Sequence, residues 1–114
     1  MERMQLHEDR IGGQHVFSGR VVNLKVDQIR LPNGHTSIRE VIEHPGGVTV
    51  AALTEQDEVL MVRQFRYPFQ NVLLELPAGK LEPGETPLEA VRREQLEETG
   101  TCGETYVSLG RSYA

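Results

Sequence analysis

One stretch of this chain carries a complete set of helix signals. Thr86 can cap a backbone N–H, Pro87 suits the first helical position, and Glu89 completes a capping box. Gly100 is a good C-terminal stop for the same helix. These signals predict a single helix over residues 87–99. Because the segments around it follow the shorter period of strands, the sequence predicts a fold of the α/β (α+β) class, in which other layers must cover the apolar faces of the sheet.

Strand patterns occupy much of the remaining sequence. Residues 15–43 predict a β-hairpin, because apolar and polar side chains alternate over 20–30, a Pro-Asn-Gly turn follows, and the chain then returns as a partner strand. Pro45-Gly46-Gly47 breaks the pattern, and we expect it to separate an N-terminal β-sheet region, 1–44, from a core region, 45–114. Further strands are predicted at 48–53, 58–65, 71–76 and 106–109.

Composition narrows the possible functions. The chain has 114 residues, with 12 Lys and Arg against 17 Asp and Glu, and a formal charge of −5. This negative balance argues against a nucleic acid or an anionic membrane surface as the main partner. The uncharged stretch from Pro45 to Thr54 is too short to span a bilayer, which needs about 20 residues. Segment 1–10 lacks the apolar core of a secretory signal, and the single cysteine, Cys102, excludes an internal disulfide, so we expect a cytoplasmic protein.

Three glutamates share one face of the predicted helix. Residues three and four apart on a helix lie on the same side, which groups Glu94, Glu97 and Glu98. Carboxylates this close repel one another unless a cation lies among them, and a hard divalent ion such as Mg²⁺ is the natural partner. A plain solvated surface is the commoner explanation of an acidic helix face, so the pattern alone leaves both interpretations open.

The loop before the helix adds a second feature. Leu76-Pro77-Ala78-Gly79 leads from a predicted strand into a loop that runs from Lys80 to Glu85. Gly79 and Gly84 would let this backbone bend tightly beside a ligand. An acidic helix face next to such a loop, at the end of a strand, predicts a site for a metal-bound phosphate ligand.

The spacing of these residues resembles the Nudix box of the Nudix hydrolase family, here over residues 79–101. The matching positions are Gly79, Glu85, Arg93, Glu94, Glu97, Glu98 and Gly100. A chance match of so many fixed positions is very unusual, which makes the signal specific. Two positions depart from the box, because Gln95 and Thr101 stand where the family usually has apolar residues. Burial of the Gln95 amide without partners would cost about 1–3 kcal/mol.

This departure falls on the face expected to pack. The apolar stripe predicted to lie on the sheet consists of Leu88, Val91 and Leu96, and Gln95 lies within it. The departure therefore concerns the seating of the helix more than metal chemistry, because no charged ligand is lost.

Flanking segments extend the resemblance to the ADP-ribose pyrophosphatase branch of the family. Ile42 to Val50, Val62 to Arg66 and Leu74 to Glu85 agree with that branch in order and spacing, and the likeness covers about residues 15–110. It implies an α/β/α sandwich with a mixed sheet and an N-terminal antiparallel sheet that is exchanged or packed across a homodimer. The branch has more strands, a second helix and a loop glutamate after the segment that resembles Ser108 to Ala114, so we expect this sequence to be C-terminally incomplete.

The resemblance also implies roles around the metal. The implied ligands of Mg²⁺, or of Mn²⁺ in its place, are Glu94, Glu97, Glu98 and the backbone carbonyl of Ala78. Glu97 would either contribute directly or orient a metal-bound water. Arg93 and Glu85 match the pair that braces the loop against the helix.

Contacts to the substrate are implied in the same way. Val21, Arg39 and Glu40 would lie near the adenine, while Arg66 and Glu82 would approach the phosphates, the terminal ribose or the metals. For each arginine the alternative is a salt bridge at a strand edge. For Val21 the alternative is simple packing within the sheet.

Together, the residues and the resemblance predict a Mg²⁺-dependent hydrolase that cleaves ADP-ribose to AMP and ribose 5-phosphate. It would act as a homodimer, with no nucleic-acid or membrane partner. Two alternatives stay open. The substrate could be another nucleoside diphosphate derivative, such as a nucleotide sugar or NADH, or the chain could be a truncated, non-catalytic module that binds or dimerises.

Overall fold

The computed structural model describes residues 5–113. In chain order the elements are β1 (Asp9–Ser18), β2 (Asn23–Arg30), β3 (Thr36–Glu43), β4 (Gly47–Thr49), β5 (Val62–Arg66), a 3₁₀ turn (Tyr67–Phe69), β6 (Asn71–Glu75), β7 (Ala78–Lys80) and α1 (Pro87–Thr99). The predicted α+β class is confirmed. The backbone divides into two compact units between His44 and Pro45. The roles given to regions 1–44 and 45–114 stay predictions, and residues 1–4 and 114 of those regions lie outside the described part of the chain.

The strand pairing differs in one respect from the expected sandwich. Within residues 5–113 every paired strand is antiparallel, in sheets ordered β1-β2-β3, β4-β7 and β5-β6. The mixed sheet is therefore not present in this part of the chain. A parallel pair needs a long crossover, usually a helix, and no described strand follows α1.

The N-terminal unit is a three-stranded sheet. The predicted hairpin is formed by β2 and β3, in register from Asn23 opposite Glu43 to Arg30 opposite Thr36. The first strand, β1, runs further towards the N-terminus than the sequence pattern suggested. Its register shifts between Arg10 and Gly12 and again farther on, and these irregularities hide the alternation that identifies a strand.

An ion pair lies at the centre of this sheet. Asp27 is buried, accepts a hydrogen bond from Arg10 Nε at 3.1 Å, and lies 3.4 Å from Lys25 Nζ. Desolvation would raise the pKa of Asp27, but the hydrogen bond from Arg10 and the Lys25 charge together lower it. Gly13 faces this carboxylate so closely that a Cβ there would overlap it. The glycine therefore makes room for the buried acid.

The second unit contains two short antiparallel pairs and the helix. The strands predicted at 48–53 and 58–65 shorten to β4 and β5, and a single bridge joins Leu53 to Val59 around the predicted turn. The strand predicted at 106–109 is wrong, because this segment has no regular structure. Its apolar residues Val107 and Leu109 are 77% and 91% exposed. A strand forms only where a partner satisfies its backbone groups, and these residues pair with no other described segment.

The helix α1 begins and ends where its signals predicted. The capping box between Thr86 and Glu89 forms, and Gly100 closes the helix at φ 69°. The predicted apolar stripe is wrong in part, because Leu88 and Leu96 are 45% and 58% exposed. The buried positions are Ala90 and Gln95, and α1 packs against β4 and β7. With 13 residues, α1 is too short to span a membrane, and no other described helix could do so.

Candidate active site

Arg93 joins the helix to the loop that precedes it. Its Nε and Nη2 donate to the two carboxylate oxygens of Glu85, at 2.7 and 2.9 Å, and Nη2 also donates to the carbonyl of Lys80 at 3.0 Å. The backbone N–H of Glu82 donates to the same carboxylate at 3.0 Å. The Arg93 hydrogen bonds, aided by this N–H, lower the pKa of Glu85 to about 2, and in return they raise the pKa of Arg93. The structure thus brings together the two residues for which the resemblance implied a brace.

The third nitrogen of Arg93 faces three further carboxylates. Nη1 lies 2.7 Å from Glu94, 3.4 Å from Glu97 and 3.6 Å from Glu82. We call these residues the Arg93 cluster; its members are Glu82, Glu85, Arg93, Glu94 and Glu97. Four carboxylates surround one guanidinium, which leaves a formal charge of −3. This surplus favours the approach of a further cation.

Two glutamates of the helix lie against the backbone at the start of β7. The N–H of Ala78 donates to Glu98 Oε2 at 3.1 Å. The Glu94 carboxylate packs so closely on Gly79 that a Cβ there would overlap it. The sequence predicted that Gly79 would allow a ligand to approach, and in the structure the group that approaches is Glu94.

The other two glycines serve turns. Gly84 and Gly100 have φ values of 77° and 69°, in the left-handed region that side chains with a Cβ rarely adopt. Gly84 lies in the turn that the Glu85 N–H closes on the Glu82 carbonyl at 3.0 Å, and Gly100 ends the helix, so a direct role at a ligand is not needed to explain them.

The donor chemistry suits a hard divalent cation. Glu94, Glu97 and Glu98 offer carboxylate oxygens on one helix face, and such oxygens are the ligands that Mg²⁺ and Mn²⁺ prefer. Within residues 5–113, however, no three acidic, histidine or cysteine side chains already converge on one point. Glu94 and Glu97 turn to Arg93, while Glu98 turns to the Ala78 N–H. A cation would therefore exchange these hydrogen bonds for coordination bonds.

Arg66 forms a salt bridge with a residue that the sequence analysis did not select. Its Nε and Nη2 donate to Glu75 at 2.8 and 2.6 Å across the β5–β6 hairpin. These bonds raise the pKa of Arg66 and lower that of Glu75, and the charge of Glu98 acts on Arg66 in the same direction. The salt bridge that was the alternative interpretation of Arg66 is thus present. Arg66 also lies within reach of the charge of Glu98, and its contact with substrate stays a prediction. A signal existed for Glu75, because facing strands place both residues on one face of the hairpin.

The other substrate residues belong to the N-terminal unit. Arg39 donates to Glu8 at 3.1 and 2.7 Å, so its alternative interpretation as a salt bridge also holds. Glu40 is exposed on β3. Val21 lies in the turn between β1 and β2 and is 63% exposed, so packing within the sheet, the alternative for this residue, is wrong. The proximity of these residues to adenine stays a prediction.

A comparison with protein families settles which family this arrangement belongs to. The NUDIX domain matches residues 43–113, more than half of the chain. The chain belongs to the NUDIX family. Members of this family generally use divalent metals, in agreement with the surplus of carboxylates around Arg93.

Individual relatives agree with this assignment. The chain is 47% identical over 108 residues to the ADP-ribose pyrophosphatase of Bacillus subtilis, covering 95% of this chain and 58% of that protein. It is 50% identical over 93 residues to the methanol dehydrogenase activator of Bacillus methanolicus, covering 82% and 50%. Among solved structures, an ADP compounds hydrolase superimposes with a TM-score of 0.78 at 20% identity, covering 92% of this chain and 57% of that one. This last likeness concerns the fold. The NUDIX chain spans about half the length of the curated relatives it matches.

Proposed function

We propose that this NUDIX chain carries the acidic helix of a Mg²⁺-dependent hydrolase that cleaves ADP-ribose to AMP and ribose 5-phosphate. The observation that supports the reaction class is the four-carboxylate Arg93 cluster beside Glu98 at the start of β7. The identity to an ADP-ribose pyrophosphatase supports the substrate. As parts of the same proposal, the protein is a cytoplasmic homodimer.

In this proposal each part of the site has a separate task. Glu94 and Glu98 hold the cation, Glu97 contributes or orients a bound water, and the carbonyl of Ala78 lies nearby. When bound, Mg²⁺ neutralises charge on the diphosphate and activates a water molecule. Arg93 keeps Glu85 and its loop fixed to the helix, so the acidic face is held in place before the substrate arrives.

Arg66 supplies positive charge close to the acidic face. Glu75 engages two of its nitrogens and so fixes the plane of the guanidinium. The third nitrogen, Nη1, can then donate to a phosphate oxygen. Because the orientation is set in advance, little side-chain entropy is lost when the phosphate binds.

The experiment that tests the proposal is a product assay. ADP-ribose is incubated with the chain and MgCl₂, and AMP and ribose 5-phosphate are separated by chromatography. We expect Glu94→Gln and Glu98→Gln each to lower kcat by about 100-fold or more, because each removes a charged ligand from the cation. Glu104→Gln, which changes an exposed glutamate after the helix, serves as the control. Unchanged turnover in both helix variants would exclude the proposed reaction.

The choice of substrate is tested by a panel. ADP-ribose, a nucleotide sugar and NADH are compared by kcat/KM, since specificity is a ratio of these constants. A higher value for one of the other compounds would keep the reaction class and change the substrate. Metal-dependent binding of ADP-ribose without release of AMP would instead favour the non-catalytic module.

A further inference from the structure

The two departures from the box are hydrogen-bonded to each other. Gln95 is only 3% exposed, and its Nε2 donates to Thr101 Oγ1 at 3.1 Å. Its Oε1 accepts from the Tyr106 hydroxyl at 2.8 Å. Thr99 Oγ1 donates to the Gln95 carbonyl and lies 2.6 Å from Thr101 Oγ1. The cost expected for an unpartnered amide is therefore avoided. We call Gln95, Thr99, Thr101 and Tyr106 the Gln95 cluster.

This cluster also fastens the irregular segment after the helix. The Tyr106 hydroxyl accepts from the Gly103 N–H at 3.0 Å, and the guanidinium of Arg92 lies 5.2 Å from the centre of the Tyr106 ring. A Cβ at Gly103 would lie 3.0 Å from the same ring, so Tyr106 is closely enclosed on this side. The tyrosine thus has a defined position although residues 104–113 form no regular element.

Apolar packing does little to fix the rotation of α1. Leu88 and Leu96 are exposed and Val91 is only half-buried. The one fully buried apolar residue of the helix is Ala90, whose methyl group gives a weak directional contact. Hydrogen bonds are directional, so the buried amide of Gln95 restrains rotation more sharply than a methyl group can. Rotation matters for the neighbouring Glu94, because its carboxylate lies so close to the backbone of Gly79 that a Cβ there would overlap it.

We propose that the Gln95 cluster is a positioning device: it fixes the rotation of α1 and thereby holds Glu94 and Glu98 against the backbone of Ala78 and Gly79. Gln95 directly follows Glu94 and precedes Glu98 by three residues, so the three side chains turn together as the helix turns. The consequence for cation affinity rests on the proposed function. The positioning itself does not, and it can be measured without metal or substrate.

The first measurement is hydrogen exchange of the Ala78 amide by NMR, because this N–H is bonded to Glu98. Thr101→Val removes the hydroxyl at constant shape, while Thr101→Ser keeps it and is the matched control. Tyr106→Phe removes the second partner of Gln95 and keeps the ring. Thr86→Ala weakens the same helix from its other end, because it removes the capping side chain, and therefore controls for general destabilisation.

We expect exchange at Ala78 to accelerate about fivefold in Thr101→Val and in Tyr106→Phe, the size of effect that residues in packed networks exert at a distance. Thr101→Ser should stay near the wild type. In Thr86→Ala, any acceleration at Ala78 should be no larger than that of the helix amides. An equal response to Thr101→Val and Thr101→Ser, or to the Tyr106 and Thr86 variants, would overturn the proposal.

The second measurement is a calorimetric titration with MgCl₂ on the same variants. We expect the Kd for Mg²⁺ to rise about fivefold in Thr101→Val and to stay unchanged in Thr101→Ser. If the wild type binds no Mg²⁺ and releases no AMP, the proposed function fails, while the exchange comparison still decides the positioning. If Mg²⁺ binds equally well to all variants and Ala78 exchange is unaltered, the positioning fails and the proposed function stands.

Discussion

The helix α1 carries two polar clusters that are built from opposite kinds of interaction. On one side, the Arg93 cluster joins a single cation to four carboxylates, and its members remain partly accessible to water. On another side, the Gln95 cluster consists of neutral groups around a buried amide. The charged cluster has a surplus of acceptors and so has capacity for another cation. In the neutral cluster, both polar atoms of the Gln95 amide have a hydrogen-bond partner, and no formal charge is present to attract a cation.

This difference separates two tasks within one helix. A site that binds a cation benefits from a surplus of negative charge, whereas a support benefits from a buried network whose polar atoms are paired. In agreement with this, no buried side-chain nitrogen or oxygen in residues 5–113 lacks a hydrogen-bond partner. The adjacent residues Arg92 and Arg93 show the same division, because Arg92 lies over the ring of Tyr106 and Arg93 lies among the acids.

The largest effect is expected from the charged side. Arg93→Ala removes both hydrogen bonds to Glu85 and the contact to Glu94, so the loop and the acidic face lose their common anchor. We expect kcat/KM for ADP-ribose to fall about 100-fold, the cost typical of a misplaced catalytic group. Arg93→Lys keeps the charge but cannot form the bidentate contact with Glu85, so most of the loss in kcat/KM should persist. A steady-state assay in which Arg93→Ala retains activity within about twofold would show that the anchor is dispensable.

The next effect concerns the neutral side and is one of stability. Thr101→Val leaves the Gln95 amide buried with an unpaired donor, which should lower the free energy of unfolding by about 1–3 kcal/mol. Gln95→Leu combined with Thr101→Val and Tyr106→Phe removes the donor and the acceptor of each hydrogen bond. We expect this triple variant to recover much of the lost free energy of unfolding. Urea denaturation of five proteins, the wild type, the three single variants and the triple variant, measures the coupling. Strictly additive losses would show that the residues do not act as one cluster.

The sequence predicted the charged side better than the neutral side, for a physical reason. The helix bounds follow from local signals at Thr86 and Gly100, and the pairing of Arg93 with Glu85 follows from a fixed spacing that the family pattern supplies. The partners of Gln95 lie beyond the helix, in a segment whose pattern wrongly suggested a strand. An apolar periodicity does not predict a glutamine on the packing face of a helix. Its two partners, Thr101 and Tyr106, become visible only in the three-dimensional structure.

The same limit explains the wrong orientation of the leucines. The predicted stripe counted Leu88 and Leu96 as the inward face because apolar residues usually turn inward. In the structure both leucines are exposed, whereas Gln95 is buried and hydrogen-bonded to Thr101 and Tyr106. A one-dimensional pattern cannot weigh directional hydrogen bonds against apolar area. Most of strand β1 was not predicted for a related reason, because its bulges interrupt the alternation of apolar and polar residues.

Acid should destabilise the charged cluster but not the neutral one. The Arg93 hydrogen bonds lower the pKa of Glu85 from 4.5 to about 2, so the folded state binds this proton less readily than the unfolded state. The resulting stabilisation is complete above a pH of about 4.5 and is lost as the pH falls towards about 2. We expect Glu85→Gln to flatten the fall of Tm in this window, as followed by circular dichroism.

The control for this experiment removes a charge elsewhere. Glu55 lies in the exposed turn before β5, so Glu55→Gln should leave the fall of Tm with pH as steep as in the wild type. The neutral cluster contains no titrating carboxylate, so Thr101→Val should lower Tm by a similar amount at every pH in the window. A Glu85→Gln profile parallel to that of the wild type would show that the brace does not contribute to acid stability.

The smallest effect is expected at Arg92, which tests whether the two sides are independent. Arg92→Ala removes the cation over the Tyr106 ring, and exposed contacts of this type contribute about 0.5–1 kcal/mol. Because the hydrogen bonds of Tyr106 to Gln95 and Gly103 do not involve Arg92, the cluster should survive, and kcat/KM should change by less than about twofold. On one preparation, urea denaturation measures the free energy of unfolding and the product assay measures kcat/KM. A loss of activity comparable to that of Arg93→Ala would mean that charge at this turn of the helix, rather than the particular contacts of each arginine, sets the function of the site.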